Sequence, residues 1–591
     1  MATAPTIDPI PANQERSRMQ SRVKAVEDSF NSVKPVLRDI GEYMAPYRGR
    51  FENTNQGQNQ RGKRKGLRII NNVAGRSFGI LSSGMMSGLT SPGRPWFKLA
   101  TPDPDLAKYT PHRQWLDGVG RAMQTLFAKS NLYNVLPSLY GELAPFGTGC
   151  LQEVEDAQSV IRFYPYTIGE YGLAQDNRLV VDTFTRQYVD TVRNVVATWG
   201  NSPGLSERTR TLYRTGKLED SVHLVHIIEP NQDRKVGGFG YRDMPFVEEY
   251  WEAMGDSQEP LERKGLAERA LFAPRWDVTG NDLWGKGLGH DILGDVKQLQ
   301  FKERRSEDVL EKHTSPPLEA GAALRGKRLS LLAGDVTYTD PANTGGTAVR
   351  PIVQTHPQAF QYATQNIGEM ERRIRSACYE DLFLMLANDT RSGITAREVE
   401  ERHQEKMLVL GPVLERLNEE LLDPIIDRTF AIMQRRSEPF WKGMIDGNPL
   451  IPPPPKGLEN EALSVEYTSI LAQAARATNT RGIEAFGMFV GNLAAVWPEV
   501  LDKVNADNLV NEYADAQGIP AGIMSTDEEI AAKRAAKAQQ QQQAQFAAMA
   551  PAIEQTANAL KTAGEAVPQD GSTLSNIAQQ AGAAGLASPL N

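Results

Sequence analysis

Two stretches of the chain carry residue types at a spacing that could do chemistry, and the first is Gly75-Arg76-Ser77-Phe78-Gly79. It matches the G-x-S-x-G pattern of a serine nucleophile, which works only when a buried strand precedes the serine and a helix follows it. Residues 67–74 contain two asparagines and make a poor strand. A serine hydrolase that uses Ser77 is therefore the weaker alternative, and chance glycine spacing explains the match better.

The second stretch, Gly280-Asn281-Asp282-Leu283-Trp284-Gly285-Lys286-Gly287, nearly spells a phosphate-binding loop. Position 287 is a glycine where that loop needs a Ser or Thr hydroxyl for magnesium, so an ATPase is not indicated. His223 and His226 are three residues apart, which on a strand directs them to opposite faces, so we interpret them as structural rather than as a metal pair. We expect no catalytic residues, no cofactor and no metal site.

Composition and charge describe an ordinary soluble protein with room for several sub-domains. The chain has 591 residues, of which 40% are hydrophobic and 23% charged, with a formal net charge of −8. That charge and a pI near 5.6 argue against a protein that coats nucleic acid through a general basic surface. They remain compatible with a protein that lets DNA slide past it.

The cysteines and the apolar runs indicate where the protein works. The two cysteines, Cys150 and Cys378, provide no disulfide framework, which fits a reducing compartment. The N-terminus has no apolar core of a secretory signal, and no run is long and apolar enough to cross a bilayer. We expect a cytoplasmic, soluble protein with no membrane partner.

The rest of the chain is organised around two long helices joined by a polar loop. Apolar residues recur every three or four positions through 357–387, which predicts one helix of about 46 Å. A cluster of turn formers ends it at 388–393, and Thr395-Ala396-Arg397-Glu398 is a capping box that opens a second helix over 395–436. Two prolines should kink this second helix: Pro412 and Pro424.

The part before these helices reads as a mixed α+β body. Helices are predicted over 14–45, where Pro35 should bend or interrupt the helix, and over 112–146. Residues 83–99 indicate a helix end made of small residues, a Pro-Gly turn and a short strand. Alternating β-branched and aromatic residues then predict antiparallel strands at 161–164, 179–186, 222–228 and 246–251.

The remaining segments surround the central helices. Residues 291–313 predict a further helix, and the insertion that follows contains a strand at 335–339. A proline-rich spacer at 451–456 leads to a helical region over 462–518. The Gln/Ala-rich end of the chain is predicted to be an isolated helix at best and otherwise disordered.

Taken together and in order, several motifs resemble those of the head-to-tail connector, or portal, proteins of short-tailed bacteriophages, over about 14–529. They are Ser83-Gly84-Met85-Met86-Ser87-Gly88-Leu89-Thr90-Ser91-Pro92, Arg94-Pro95-Trp96-Phe97, Leu283-Trp284-Gly285-Lys286-Gly287, Thr395-Ala396-Arg397-Glu398-Val399, Leu410-Gly411-Pro412-Val413-Leu414-Glu415-Arg416-Leu417, Glu420-Leu421-Leu422-Asp423-Pro424 and Pro452-Pro453-Pro454-Pro455.

The resemblance implies a helix-rich α+β subunit of portal type that forms a closed ring. Its implied parts are an α+β wing body (1–290), a first stem helix (291–313), a clip (314–356), a second stem helix (357–387), a channel loop (388–394), a kinked wing helix (395–436), a helical crown (437–530) and a largely disordered tail (531–591).

The resemblance also implies a function and a set of partners. A dodecameric ring at one capsid vertex would conduct double-stranded DNA during packaging and ejection. Its partners would be the terminase motor, a tail adaptor protein, and the major capsid, scaffold and internal core proteins. The protein would be assembled in the host cytoplasm and reside in the virion. The alternatives are another phage structural protein, such as a scaffold or internal core protein, or the Ser77 hydrolase.

The implied DNA-contacting residues form the channel loop: Asn388, Asp389, Thr390, Arg391, Ser392 and Gly393. Arg391 is the one cation of this loop, and repeated around a ring it could touch phosphates transiently. The alternative role, an ordinary surface arginine, stays open.

Overall fold

A computed structural model describes residues 14–51, 66–103, 110–235, 237, 240–315, 317–320, 349–351, 357–387, 410–437, 450–455, 457, 464–468, 486–494, 496–517, 529–541 and 544. The chain forms two compact units, residues 1–519 and 520–591. The described residues of the first unit combine helices with antiparallel sheets, so the predicted α+β class is confirmed. In the second unit, residues 529–541 are helical.

Four helices build the first part of the body. They are α1 (Glu15–Met44), α2 (Val73–Leu89), α3 (Thr110–Lys129) and α4 (Leu132–Phe146). Pro35 lies inside α1 without interrupting it, so the interruption foreseen there does not occur. The small-residue helix end predicted before Pro92-Gly93 is the last turns of α2, and the short strand after it is β1 (Phe97–Ala100).

Two antiparallel sheets follow, ordered β3-β2-β9 and β4-β5-β6-β7-β8. Their strands are β2 (Cys150–Asp156), β3 (Val160–Tyr166), β4 (Tyr171–Gln175), β5 (Val181–Thr191), β6 (Ser221–Pro230), β7 (Phe246–Glu252), β8 (Glu262–Leu266) and β9 (Leu271–Phe272). Two short helices, α5 (Val192–Trp199) and α6 (Glu207–Arg214), lie between β5 and β6. The four predicted strands correspond to β3, β5, β6 and β7.

The predicted first stem helix is α7 (Leu288–Thr314), which begins three residues before 291. Two short paired strands, β10 (Leu318–Ala320) and β11 (Val349–Pro351), follow it. The strand predicted at 335–339 lies outside the described residues.

The prediction of a single helix over 357–387 was wrong. The segment forms α8 (Pro357–Ala377) and α9 (Glu380–Ala387), separated by a turn at Cys378-Tyr379. Tyr379 has a φ of 55°, a left-handed conformation in which an α-helix cannot continue. The length of about 46 Å expected for one straight helix therefore does not apply.

The segment after 410 returns to the body. Helix α10 covers 410–437 and contains a π-helical turn, Asn418–Leu422, before its last part, Asp423–Ser437. The irregularity ends next to Pro424, where a kink was expected. The strand β12 (Ser464–Tyr467) then pairs with β1, so the helical region expected from 462 was wrong at its start. Helices α11 (486–494) and α12 (Ala506–Gln517) follow.

The core is centred on α4, which is buried at every position from Leu139 to Phe146. Its C-cap, Gly147, has a φ of +83° and lies directly against the backbone of Gly285 and Gly287. Backbone hydrogen bonds close this corner, from Trp276 N to Gly147 O (2.8 Å) and from Gly149 N to Pro274 O (3.0 Å). The glycines at 285 and 287 thus let two chain segments meet.

We expect Gly147→Ala to destabilise the body more than the φ value alone requires. A left-handed φ costs a non-glycine residue about 1–2 kcal/mol, and the added methyl would also collide with the backbone of residues 285 and 287. A loss of roughly 3 kcal/mol or more in the free energy of unfolding should appear in urea titrations followed by tryptophan fluorescence.

The matched control for Gly147→Ala is Gly280→Ala. Gly280 also has a positive φ, of +60°, but has open space around its α-carbon. Only the conformational cost of about 1–2 kcal/mol should appear there. Equal losses in the two variants would contradict the close-approach argument.

Candidate functional site

The predicted channel loop, 388–393, lies outside the described residues, as does the capping box at 395–398. The structure describes α9 as far as Ala387 and α10 from 410 onward, so the elements on both sides of the loop are described. The contacts of these two helices fix the positions of Ala387 and of residue 410 relative to the body. The candidate site is therefore built from its two anchors and from the α7–α8 helix pair that leads into it.

The polar residue Asn71 joins both α7 and α8 to the body. Its Nδ2 donates hydrogen bonds to Glu303 Oε1 on α7 and to Glu371 Oε1 on α8, both at 2.7 Å. Gln300, which is buried on α7, accepts from the backbone N–H groups of Ile70 and Asn71 and donates to the Asn71 carbonyl at 2.8 Å. The hydrogen bonds of Asn71 and Gln300 help to set how far α7 and α8 are shifted along their axes relative to the body, because a shift of either helix would break them.

Beyond Asn71 the helix pair extends with large apolar side chains in solvent. Phe301 is 60% exposed, Leu310 51% and Tyr362 72%. The charged residues over 302–312 are four cations and four anions, a net charge of zero: Lys302, Glu303, Arg304, Arg305, Glu307, Asp308, Glu311 and Lys312. These three side chains leave apolar surface in solvent on both helices of the pair.

Helix α9 forms the first anchor and packs against α2. Ser77, fully buried in the middle of α2, donates from Oγ to Glu380 Oε2 at 2.5 Å. Residues 66–72, ahead of α2, form turns and no strand. The strand-to-helix elbow that a nucleophilic Ser77 requires is absent from this position, so the hydrolase alternative was wrong.

The two histidines of β6 do not form a pair. His226 is buried, lies 2.8 Å from Glu248 Oε1 through Nε2 and stacks on Tyr250 with ring centroids 4.2 Å apart. Burial lowers the pKa of His226, so the neutral ring donates to the carboxylate. Burial alone would raise the pKa of Glu248, but hydrogen bonds from His226 and Gln152 lower it below its usual value. His226 thus has a structural partner.

Metal-ligand clusters and membrane-spanning helices are both absent from the described part of the chain. No group of three or more His, Cys, Asp or Glu side chains in that part could hold a metal ion. None of its helices combines the length and the apolar composition that a bilayer crossing requires.

Helix α10 forms the second anchor, and its π-helical turn presents Glu420 to Arg275. Arg275 Nη2 lies 2.6 Å from Glu420 Oε1, and the Arg275 backbone N–H donates to Glu420 Oε2 at 2.7 Å. The side chains are 6% and 17% exposed, so water screens the pair weakly. Glu420 lies inside this π-helical turn.

Further along α10, charged side chains meet strand β2. Thr429 Oγ1 donates to Glu153 Oε1 at 2.8 Å, and Arg428 donates from Nε to the Glu153 carbonyl at 3.3 Å. Arg435 pairs with Glu268 and also with Glu155, at 2.7 Å. Glu153 is fully buried, and burial raises its pKa to about 8 despite Arg428 and Thr429. Its carboxyl group is therefore protonated at neutral pH.

The start of the last part of α10 is tied to the C-terminal strand. Tyr467 on β12 donates a short hydrogen bond to Asp423, and burial raises the pKa of Asp423. Because β12 pairs with β1, this bond connects α10, β12 and the N-terminal body. Segments more than 300 residues apart in sequence thus meet at the second anchor.

Sequence reasoning missed the anchoring residues Arg275, Glu420, Glu153 and Asn71. One local signal existed, because Glu153 follows Leu151 at the period of two that marks one strand face. The other three lie in a loop, a π-turn and a connecting segment, where no periodicity indicates burial.

The raised pKa of Glu153 predicts a pH dependence of stability. A carboxyl group whose folded pKa of about 8 exceeds its usual 4.5 stabilises the fold fully below pH 4.5, and that contribution is lost as pH rises to 8. We expect Glu153→Gln to keep the hydrogen bond from Thr429 and to flatten the pH profile of the unfolding free energy between these values. At pH 8 the variant should be the more stable protein, by urea titration.

Glu155→Gln removes one negative charge from the same strand at an exposed position and is the control for net charge. If the free energy of unfolding fell by the same amount in wild type and in Glu153→Gln between pH 4.5 and pH 8, this result would contradict a protonated Glu153.

Comparisons with known proteins address the chain as a whole. A family described as bacteriophage head to tail connecting protein matches residues 16–524. The portal protein of Salmonella phage epsilon15 is 37% identical over 573 residues, which are 97% of this chain and 99% of that protein. The probable portal protein of Bordetella phage BPP-1 is 36% identical over 535 residues, covering 90% and 93%.

A chain from the solved virion of a native gene transfer agent (GTA) particle is 9% identical, with a TM-score of 0.28 over 70% of this chain and 85% of that one, and so low a score supports no argument. The family match and the two phage relatives each span most of the chain, which confirms the resemblance drawn from its motifs. The chain belongs to the bacteriophage head-to-tail connecting proteins, the portal proteins.

Proposed function

We propose that this portal protein forms a dodecameric ring at one capsid vertex, the conduit for double-stranded DNA in packaging and ejection. The observation that carries the proposal is the 37% identity to a phage portal protein over 97% of the chain. An alignment of that extent leaves no large part of the chain for a different architecture. A structural role follows, with no catalytic step.

The exposed apolar side chains of the α7–α8 pair support ring closure. A ring uses heterologous interfaces, in which one face of a subunit meets a different face of its neighbour. Phe301, Leu310 and Tyr362 are more than half exposed in the single chain, and a neighbouring helix pair would cover them. Burial of such side chains is the main favourable contribution to subunit association.

The charge balance of α7 supports a passive channel wall. A surface with four cations and four anions over 302–312 makes few net phosphate contacts, and each net contact would strengthen DNA binding. DNA that has to move through the ring is held weakly by such a wall. Arg391 would then be a transient phosphate contact of the loop.

The subunit divides into portal parts as follows. The body up to 290 is the wing, α7 and the α8–α9 pair are the stem, and the segment around β10 and β11 is the clip. Residues 388–394 are the channel loop, α10 belongs to the kinked wing helix, the segment from 437 to 530 is the crown, and 531–591 is the tail.

The partners follow from this position in the virion. The clip meets the terminase motor during packaging and the tail adaptor protein afterwards. The wing and crown face the major capsid, scaffold and internal core proteins. The ring assembles in the host cytoplasm and remains at the portal vertex of the virion.

Native mass spectrometry with negative-stain imaging tests the ring. We expect a particle near twelve times the chain mass of 65.3 kDa, with a central hole. Purified protein that stays monomeric or dimeric, also when co-expressed with scaffold protein, would contradict the proposal.

Deletion of residues 388–393 tests the channel loop. We expect rings of unchanged mass, because the anchors on both sides remain, but less DNase-protected DNA in assembled capsids. Deletion of residues 539–591 removes more residues and is the control. It should change neither the number of subunits in the ring nor the amount of packaged DNA. Rings that fail to form without 388–393 would make the loop architectural instead.

A further inference from the structure

Helix α9 rests on α2 through a hydrogen bond and a shape contact that neither the portal function nor the family match assigns. Ser77, Leu81 and Gly84 are spaced at i, i+4 and i+7, so they lie on one face of α2. Ser77 and Leu81 are fully buried. From α9, Glu380 and Phe383 meet the two ends of this face.

The hydrogen bond lies at the start of α9. Ser77 Oγ donates to Glu380 Oε2 at 2.5 Å, and the serine has no exposure to solvent. A cavity of about 310 Å³ is lined by Glu380 together with Arg76 and Arg375. The hydrogen bond therefore lies next to a polar cavity.

The shape contact lies one turn further along α9. The Phe383 ring sits directly over Gly84, where a methyl group would overlap its Cβ, Cγ and Cδ1 atoms. Phe383 is 4% exposed, and its neighbour Leu382 1%. Because Gly84 has no side chain, the Phe383 ring can pack directly on α2 at this position. This contact explains why a glycine, which otherwise destabilises a helix, lies inside α2.

The connection between α8 and α9 is a single turn. Cys378 N–H bonds to Ile374 O at 3.1 Å, and Tyr379 N–H bonds to Ser376 O at 3.1 Å. Tyr379 then takes a φ of 55°, rare for an aromatic residue, and its carbonyl accepts from Leu382 and Phe383. All change of direction between the two helices is concentrated here.

We infer that α9 is a hinged helix that pivots at Cys378-Tyr379 and is positioned by Ser77 and Gly84, so that its seat on α2 sets the position of its last residue, Ala387. That the chain there becomes a DNA-channel loop rests on the proposed function. The seat and the hinge rest on the described contacts alone. Ser77 and Gly84 are positioning residues, which act through Glu380 and Phe383.

The native cysteine Cys378 lies at the pivot, and its reactivity shows whether α9 is packed on α2. Cys378 is fully buried, and burial raises its pKa to about 12, so the seated protein has almost no reactive thiolate there. Cys150 is equally buried, on β2 in the sheet body, and burial raises its pKa well above the usual value. Departure of α9 exposes Cys378 and leaves Cys150 covered.

The experiment measures maleimide modification of the two cysteines by peptide mass spectrometry in the full-length protein. We expect Ser77→Ala and Gly84→Ala to speed modification of Cys378 about tenfold and to leave Cys150 unchanged, because only a local opening is promoted. Glu380→Gln keeps an acceptor for Ser77 and should stay near wild type. Gly79→Ala, in the same helix with open space around it, is the matched control.

Two outcomes would overturn the inference. Variants in which neither cysteine reacts faster would mean that α9 does not depend on this seat. Equal acceleration at Cys378 and Cys150 would mean that the variants loosen the whole body. Because the assay needs neither DNA nor a ring, its result is independent of the proposed function.

The link to DNA is measured separately with rings of the same variants. Less DNase-protected DNA with unchanged ring mass is expected for Ser77→Ala and Gly84→Ala but not for Gly79→Ala. If Cys378 reacts faster in these variants but their rings package DNA normally, α9 is a hinged helix that does not position the loop.

Discussion

The architecture depends on a backbone-to-backbone approach at the corner where α4 ends. Gly147 takes a φ of +83° and lies against Gly285 and Gly287, with no side chain between the two segments. One segment continues into β2 and hence into the sheets, and the other opens α7 at Leu288. A substituent at this corner would shift α7 relative to the body. The position of the exposed helix pair therefore depends on three buried glycines as well as on the hydrogen bonds of Asn71 and Gln300.

Sequence patterns predicted the elements that have a strong period and few tertiary constraints. Helix α7 was placed within three residues at its start, and β3, β5, β6 and β7 were recognised from alternation. The single helix over 357–387 was wrong because Cys378 and Tyr379 suit a helix by residue type. The break accompanies packing that buries Cys378, Leu382 and Phe383 and places the Phe383 ring on Gly84 of α2.

Pairing between distant segments explains the other misses. Residues 464–467 form a strand because β1 offers an unpaired edge, and nothing within the four residues encodes that partner. The buried charges of the second anchor are equally invisible in sequence, since Glu420 reaches Arg275 only through a π-turn. Local periodicity indicates which face of an element is apolar, but it does not indicate which polar side chain will be buried with a partner.

The two anchors on either side of 388–409 are held by different physics. Helix α10 is fixed by buried charged groups, and removal of one partner of a buried ion pair costs about 3–5 kcal/mol. Helix α9 is held to α2 by one hydrogen bond to a carboxylate, a type that contributes about 1.5–3 kcal/mol net, and by the fit of Phe383 over Gly84. The two helices thus differ in the chemistry of their contacts with the body. A buried ion pair holds α10, whereas a hydrogen bond and an apolar fit hold α9, which a left-handed Tyr379 separates from α8.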